Sequence, residues 1–246
     1  MIDLQTLTGK NLILFGDTFY KLDDILAIPL SSPSVEVILF SNTIDPIIRL
    51  MACIIRKKSF IVLDQKWPDS FRNDYIVLLE HIKECPPEMF YILTSGTSGE
   101  PKLCCHFISS LFLAAERSLS NLNLTDDDFF LLSIPISSMG GLMTLVKSLV
   151  SQSTLVIPDR HWKYCLSLPY SMHLTLVPQQ LPTFFESFSN SMQIKSILIG
   201  GDALPPNRIA ELCSLGIPFS LSYGLTETCG QVIATPFSLA PNETFE

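Results

Sequence analysis

Residues 91–102 read Tyr-Ile-Leu-Thr-Ser-Gly-Thr-Ser-Gly-Glu-Pro-Lys. An apolar run of strand character leads into a loop rich in glycine and hydroxyl side chains, which proline and lysine close. Glycines let the backbone approach a ligand closely, and a turn of this kind can direct N–H groups at an anion. The sequence therefore predicts a phosphate-binding loop after a strand. Its predicted ligand-binding residues are Thr94, Ser95, Gly96, Thr97, Ser98, Gly99 and Lys102.

The spacing of the glycines excludes the commonest phosphate-binding loop. The Walker A pattern places four residues between its two glycines and a lysine directly after the second. Here only two residues separate Gly96 from Gly99, and Lys102 follows after a glutamate and a proline. A kinase or ATPase of the Walker A type is therefore disfavoured.

Short apolar runs alternate with longer amphipathic segments on both sides of the loop. The pattern predicts strands at 35–40, 59–63, 90–93, 129–134, 154–157, 173–177, 195–199, 219–222 and 232–235. It predicts helices at 45–56, 75–83, 107–121, 141–150, 179–188 and 206–215. Repeated strand–helix units imply an α/β fold with layered, mostly parallel sheets flanked by helices.

Composition narrows the classes of partner. The 246 residues are 47% apolar and 16% charged, with a net charge of −8, which argues against a nucleic-acid partner. Mean hydropathy is +0.35, which is high for a soluble protein. The longest uncharged stretch, 129–146, contains a proline, two glycines and three serines, and it is a poor candidate for a spanning helix.

The N-terminus and the cysteines bear on the compartment. No basic run precedes an apolar core at the N-terminus, which argues against a signal peptide. The seven cysteines contain no C-x-x-C pair, so a disulfide framework or a zinc site is not expected. We therefore expect a cytoplasmic protein with reduced thiols.

Two further segments have ligand-binding character. Residues 222–228 read Ser-Tyr-Gly-Leu-Thr-Glu-Thr, and residues 197–204 read Ile-Leu-Ile-Gly-Gly-Asp-Ala-Leu. A flat aromatic ring can stack on a purine, and a carboxylate suits a hard cation shared with phosphates. Gly-Gly after a strand is weak evidence alone, because most such pairs form turns.

Together these segments resemble the adenylate-forming superfamily, which includes acyl-CoA synthetases, luciferases and the adenylation domains of peptide synthetases. The loop at 94–102 resembles its phosphate-binding loop, and 222–228 resembles its Tyr-Gly-x-Thr-Glu motif. The resemblance implies that Tyr223 packs on adenine, Thr226 contacts the α-phosphate and Glu227 holds Mg²⁺. The implied nucleotide contacts beyond the loop are Gly200, Gly201, Asp202, Ser222, Tyr223, Gly224 and Thr226. The implied catalytic residues are Lys102, Thr226 and Glu227.

One branch of the superfamily is favoured. Residues 173–181, His-Leu-Thr-Leu-Val-Pro-Gln-Gln-Leu, resemble a segment of the o-succinylbenzoate–CoA ligases of menaquinone biosynthesis. Residues 134–141 resemble the family's Leu-Pro-x-x-His-x-x-Gly stretch, with Ser138 at the usual histidine position. The residues implied for the acyl pocket are Ser138, Gly140, Gly201 and Leu225. For His106, His161 and His173 we expect satisfied or exposed side chains without a catalytic role.

The implied reaction has two halves. A carboxylate attacks the α-phosphate of MgATP to give an acyl-adenylate and pyrophosphate, and coenzyme A then displaces AMP. Full-length relatives add a ribose-binding aspartate, an arginine and a C-terminal lid domain with a lysine. None of these is identifiable here, so we expect residues 1–246 to form a partial AMP-binding domain without the lid.

Several accounts remain open at this point. The chain can be a truncated or frameshifted product, a fragment, or a small protein that keeps only the nucleotide core. It can act as a ligase, with a separate C-terminal-domain polypeptide as a partner, or as a non-catalytic nucleotide-binding remnant. Acting alone, it is expected to bind ATP or AMP weakly and to turn over little or not at all.

Overall fold

Two β-sheets organise the chain, and the computed structural model describes residues 4–30, 35–41, 43–81, 86–94, 101–125 and 127–239. Within these ranges the strands are β1 Asn11–Phe15, β2 Thr18–Lys21, β3 Glu36–Phe40, β4 Phe60–Asp64, β5 Met89–Thr94, β6 Lys102–Phe107, β7 Asp128–Leu131, β8 Thr154–Ile157, β9 Ser171–Leu176, β10 Ile194–Ile199, β11 Phe219–Leu225 and β12 Gly230–Ala234. The α-helices are α1 Leu4–Leu7, α2 Leu22–Leu26, α3 Ile44–Ile55, α4 Asp69–His81, α5 Ile108–Leu119, α6 Met139–Ser151, α7 Leu181–Ser187 and α8 Pro206–Ser214. Short 3₁₀ turns lie at Trp162–Ser167, Pro178–Gln180 and Thr226–Thr228.

The strands pair mainly in parallel. The larger sheet has the order β12-β11-β10-β9-β7-β8-β1-β2, and the smaller has the order β3-β4-β5-β6. Antiparallel pairing occurs at β1–β2, β11–β12 and β5–β6, which lie at sheet edges. The central strands are buried on both faces, which is why their sequences are continuous apolar runs. The predicted α/β architecture of mostly parallel sheets flanked by helices is confirmed.

Apolar packing arranges the sheets and helices in layers. One cluster joins both sheets through α3, α5 and α6, with Met51, Leu111 and Leu145 fully buried. A second cluster packs α7 and α8 on the far face of the larger sheet, and a third packs α4 on the far face of the smaller one. In the described part of the chain, no helix is both long and apolar enough to cross a membrane.

The structure departs from the predicted elements in a few places. Strand β6 was missed, and the N-terminal elements α1, β1, β2 and α2 were not predicted. Helix α4 begins at Asp69, six residues before the predicted start, directly after Pro68. The predicted helix 179–188 is split into a 3₁₀ turn and α7, with a proline in the first turn of each. Proline lacks an N–H group, so the start of a helix is where it is best tolerated.

A candidate active site between the two sheets

A cleft of about 1100 Å³ lies where strand ends of the two sheets face each other. The smaller sheet contributes the ends of β5 and β6, and the larger sheet contributes the ends of β9, β10 and β11. The first turn of α6 closes one side. Of the sequence-predicted residues, the cleft is lined by Thr94, Lys102, Ser138, Gly140, Gly200, Gly201, Ser222, Gly224, Leu225, Thr226 and Glu227. Segments more than 130 residues apart in sequence therefore meet around one volume.

The antiparallel pair β5–β6 holds both ends of the predicted phosphate-binding loop. Thr94 at the end of β5 pairs with Lys102 at the start of β6, and both line the cleft. The hydroxyl of Tyr75 on α4 donates a hydrogen bond of 2.8 Å to the carbonyl of Pro101. Residues 95–100, which include the predicted Ser95, Gly96, Thr97, Ser98 and Gly99, lie outside the described residues. The structure thus places the loop's two ends at the cleft, and the roles of the loop residues stay predictions.

The turn at Thr226–Thr228 follows β11 and is closed by its own hydrogen bonds. The Thr228 hydroxyl accepts from the backbone N–H of Leu225 at 3.1 Å and lies 2.9 Å from the carbonyl of the same residue. The N–H of Cys229 donates to the Thr226 carbonyl at 3.1 Å, and Cys229 itself takes a left-handed conformation with φ +59°. This closure directs Thr226 and Glu227 toward the cleft.

The glycine pair after β10 allows a close approach between strands. A Cβ on Gly200 would lie 2.5 Å from Oγ of Ser222, and Gly201 has φ +90°, which favours glycine. Both glycines line the cleft. Asp202 does not; it is exposed and accepts hydrogen bonds from Gln179 Nε2 at 3.0 Å and from the N–H of Ala203 at 2.8 Å. In this structure Asp202 ties the glycine turn to the segment after β9.

Tyr223 is not among the residues that line the cleft. Its neighbours Ser222 and Gly224 line it, and side chains alternate between the two faces of a strand. The tyrosine is 62% exposed, so a large part of its ring is available for contact. Its stacking on adenine stays a prediction.

Three of the predicted acyl-pocket residues lie around the first turn of α6 and the end of β11, and the fourth, Gly201, follows β10. Ser138 is the N-cap of α6: its Oγ accepts from the N–H of Gly141 at 3.3 Å and donates to the carbonyl of Pro135 at 2.7 Å. At the position for which the resemblance implies a histidine, this chain therefore has a helix cap that also lines the cleft. Gly140 and Leu225 line the cleft as well.

Lys147 is a cleft residue that the sequence reasoning missed. It lies on α6, is 3% exposed and lines the cleft. Its Nζ is 3.3 Å from Oγ1 of Thr175 on β9 and 5.8 Å from the centre of the Phe130 ring. Burial lowers the pKa of Lys147 to about 8. The available signal was a single charged residue in a helix that otherwise has no charge, a placement that is costly without an anionic partner when the helix is buried.

The donor set at the cleft indicates what kind of metal ion it can hold. Within the described ranges, no group of three or more acidic, histidine or cysteine side chains is arranged to hold a metal ion. Glu227 is an exposed carboxylate at the cleft. Mg²⁺ is commonly bound by one or two carboxylates together with substrate phosphates. The residues therefore fit an ion that arrives with a nucleotide, held by Glu227, better than a protein-only metal cage.

The side chains of His106, His161 and His173 each make a hydrogen bond but differ in exposure. His161 is exposed and its Nδ1 accepts from the N–H of Lys163 at 3.4 Å. His173 is buried between Asp128 and Ser196, with ring–partner distances of 3.2 and 2.7 Å. His106 lies beside the cleft, with Nε2 2.8 Å from the carbonyl oxygen of Thr226. The hydrogen bond of His106 to a motif residue had no sequence signal, because the two residues are 120 positions apart.

Comparison with known proteins gives one family and a consistent set of relatives. The family model for the AMP-binding enzyme matches residues 41–245. The 2-succinylbenzoate–CoA ligase of Enterococcus faecalis is 30% identical over 152 residues, which are 58% of this chain and 31% of that protein. The Bacillus subtilis ligase of the same name is 30% identical over 158 residues, 62% of this chain and 32% of that protein. The matches thus span about a third of the curated relatives' length.

Solved structures share the fold. The Bacillus subtilis o-succinylbenzoate coenzyme A synthetase in complex with ATP and magnesium superimposes with a TM-score of 0.78 at 21% identity, covering 94% of this chain and 60% of that one. The same synthetase in complex with AMP gives a TM-score of 0.79 at 21% identity, covering 98% and 76%. At this identity the likeness supports the layered α/β fold and no more.

Proposed function

The chain belongs to the AMP-binding enzyme family, and we propose that it provides the nucleotide-binding part of an AMP-forming carboxylate–CoA ligase. The reaction would join a carboxylate to the α-phosphate of ATP, releasing pyrophosphate, before coenzyme A displaces AMP. The observation that carries this proposal is the meeting of Thr94 and Lys102 with Thr226 and Glu227 around one cleft. These residues come from the two motifs that the superfamily uses for phosphate and Mg²⁺.

Each group in the cleft suits one part of this chemistry. The first step needs positioning and charge stabilisation at phosphate oxygens rather than a protein nucleophile. The Lys102 ammonium would balance charge on the phosphates, and the Thr226 hydroxyl would donate to an α-phosphate oxygen. Glu227 would hold Mg²⁺, which when bound neutralises charge on the phosphates. Gly200 and Gly201 leave room for the nucleotide to lie against the backbone.

The buried part of the cleft favours an acid with a second carboxylate. Lys147 and Thr175 offer an ammonium and a hydroxyl that are otherwise buried among apolar side chains. An anionic group there would offset the unfavourable free energy of burying the Lys147 ammonium. 2-Succinylbenzoate, the acid in the names of the relatives, has two carboxylates, one for activation and one for Lys147. We propose an acid of this class as the substrate.

The matches to the curated relatives are short, and this favours a second possible function. Because they span about a third of the curated relatives, groups from the rest of those proteins lie outside the matched region. The alternative is a chain that binds nucleotide without chemistry, or that needs a separate polypeptide to complete the site. The DNA downstream of the codon for Glu246 would show whether a second reading frame encodes the remaining motifs.

Binding and chemistry can be separated in one experiment. The purified chain is titrated with ATP and with AMP in the presence of Mg²⁺, and pyrophosphate release is measured with a panel of aryl dicarboxylic acids. We expect weak nucleotide binding that is reduced at least about tenfold in Lys102→Ala and Glu227→Gln, with little thioester formed by the chain alone. Glu186→Gln, at an exposed position on α7, is the matched control.

The outcomes discriminate between the two functions. Pyrophosphate release that depends on Lys102 and Glu227 supports the ligase, whereas binding without release supports the non-catalytic alternative. A wild-type chain that binds neither ATP nor AMP would contradict both. Robust coenzyme A thioester formation would show that the expected low turnover is wrong.

A further inference from the structure

We propose that His106 is a positioning residue that holds the Thr226–Glu227 turn against β6 and thereby sets Glu227 relative to Lys102. This inference rests on the proposed function, because it assigns His106 a role in metal-dependent nucleotide binding. It concerns a residue outside the loop and outside the Tyr-Gly-x-Thr-Glu motif.

One face of β6 is directed at the turn. Side chains alternate along a strand, so Lys102, Cys104 and His106 share a face. Leu103 lies on the other face and packs with the cluster beneath α4, whereas Cys104 packs against the cluster between the sheets. Burial, followed by the negative charge of Glu227, raises the pKa of the Cys104 thiol, which is consistent with Glu227 lying close to this face.

The contact itself is a single directed hydrogen bond between the two sheets. Nε2 of His106 lies 2.8 Å from the Thr226 carbonyl oxygen. A carbonyl only accepts, so Nε2 is the donor, and both the imidazolium and the neutral tautomer protonated at Nε2 can make this bond. The imidazole also stacks on the fully buried Phe90, with ring centres 5.3 Å apart and planes 24° apart. The donor is thus held in place by the core of the smaller sheet.

The loss of this bond would shift the turn rather than unfold it. The Thr228 hydroxyl and the Cys229 N–H close the turn from within, independently of His106. What His106 adds is a connection from the turn to the strand that begins at Lys102. Groups that orient a metal-binding residue commonly change metal affinity about 10–100-fold when removed, although they do not touch the metal.

The test uses two variants that distinguish the contribution of the His106 N–H donor from that of its aromatic ring. His106→Phe keeps an aromatic ring against Phe90 but has no donor, and His106→Gln keeps an N–H donor without the ring. The measurement is the Mg²⁺ concentration that gives half-maximal ATP binding, with AMP binding in the absence of Mg²⁺ and the thermal midpoint measured in parallel. His161→Gln, at an exposed histidine, is the matched control.

We expect His106→Phe to raise the half-saturating Mg²⁺ concentration about 10-fold, and His106→Gln to remain within about 3-fold of wild type. AMP binding without Mg²⁺ should change less than ATP binding with it. If His106→Phe does not fold, the smaller donorless variant His106→Leu replaces it. If the Mg²⁺ dependence is unchanged in the donorless variants, the inference about His106 is wrong but the proposed function still stands. The same conclusion follows if these variants lose AMP binding as much as they lose ATP binding. A wild-type chain that binds no nucleotide overturns the proposed function and this inference with it.

Discussion

At the scale of single residues, Lys147 lowers the stability of the free protein but is proposed to bind the substrate. Its ammonium is buried on α6 with a hydroxyl and an aromatic ring as neighbours, and burial lowers its pKa to about 8. A cation in such a place destabilises the fold unless an anion joins it. A residue of this kind is expected where binding a charged ligand matters more than stability of the empty site.

Replacing Lys147 with methionine should therefore stabilise the free protein and weaken carboxylate binding. We expect Lys147→Met to raise the free energy of unfolding by about 1–2 kcal/mol at pH 7, measured by urea denaturation. The folded-state pKa lies below the ordinary value of 10.5, so the unfolded chain binds more protons between pH 8 and 10.5. Wild-type stability should rise through this window and approach that of the variant. A variant less stable than wild type at pH 7 would show that the ammonium has a stabilising partner.

Cleft residues could be predicted from the sequence where they belong to a local motif. Thr226 and Glu227 were found from their own sequence neighbourhood, and the structure brings both to the cleft. Lys147 and His106 were not, because what singles them out is contact with Thr175 and Thr226, which are distant in sequence. A histidine has no local signature for such a contact, and the lone charge of Lys147 in α6 does not identify Thr175 as its partner.

At the scale of elements, the close approach of β11 and β12 requires Gly224. A Cβ added there would lie 2.0 Å from the carbonyl oxygen of Gly230 on the neighbouring strand. The same pair of strands flanks the turn that presents Thr226 and Glu227. We expect Gly224→Ala to lower the free energy of unfolding by about 1–3 kcal/mol, because the strands must separate, and to weaken nucleotide binding.

Gly140→Ala provides the matched comparison for stability. A Cβ at Gly140 would meet Ile134 at 3.4 Å, an ordinary contact, and the position is in the first turn of α6. Alanine there should leave stability unchanged or raise it by up to about 1 kcal/mol. Equal effects of the two substitutions in denaturant titrations would refute the close-approach argument.

Strand β6 shows why one element beside the site escaped prediction. Its sequence, Lys-Leu-Cys-Cys-His-Phe, has little of the apolar run that identified the buried strands. It forms a strand because every residue pairs with β5, from Thr94–Lys102 to Met89–Phe107. Strand formation at a sheet edge depends on such pairing more than on intrinsic propensity, so local pattern reasoning underestimates it.

At the scale of the whole molecule, the alternation of strands and helices was enough to predict the layers. The division of the strands into two sheets was not, since it depends on which strand passes next to which. The cleft exists only because the ends of β5 and β6 in one sheet face the ends of β10 and β11 in the other. Sequence motifs therefore identified several lining residues without locating the cavity.

A cluster around the buried Asp128 carboxylate connects three central strands of the larger sheet, with Lys195 as its partly exposed member. Asp128 on β7 accepts from Lys195 Nζ on β10 at 2.7 Å and from His173 Nε2 on β9 at 3.2 Å. Nδ1 of His173 in turn accepts from the Ser196 hydroxyl at 2.7 Å. Burial opposes ionisation of Asp128, but hydrogen bonds from Lys195, Thr125 and His173 together lower its pKa. For His173, burial lowers the pKa despite Asp128.

The lowered pKa values of His173 and Asp128 both predict that the protein loses stability in acid. The lowered pKa of His173 means that the unfolded chain takes up a proton near pH 6.5 while the folded chain does not, so stability falls as the pH drops below that value. The lowered pKa of Asp128 adds a second loss below about pH 3.8. We expect Asp128→Asn to lower the free energy of unfolding by about 2–4 kcal/mol at pH 7, because Lys195 and His173 lose their shared anion. The variant should also lack the loss of stability below about pH 3.8. Urea denaturation of both proteins from about pH 8 to pH 2 would test this, because the difference in stability should narrow below about pH 3.8. Curves that stay parallel below that pH would show that Asp128 does not control the acid response.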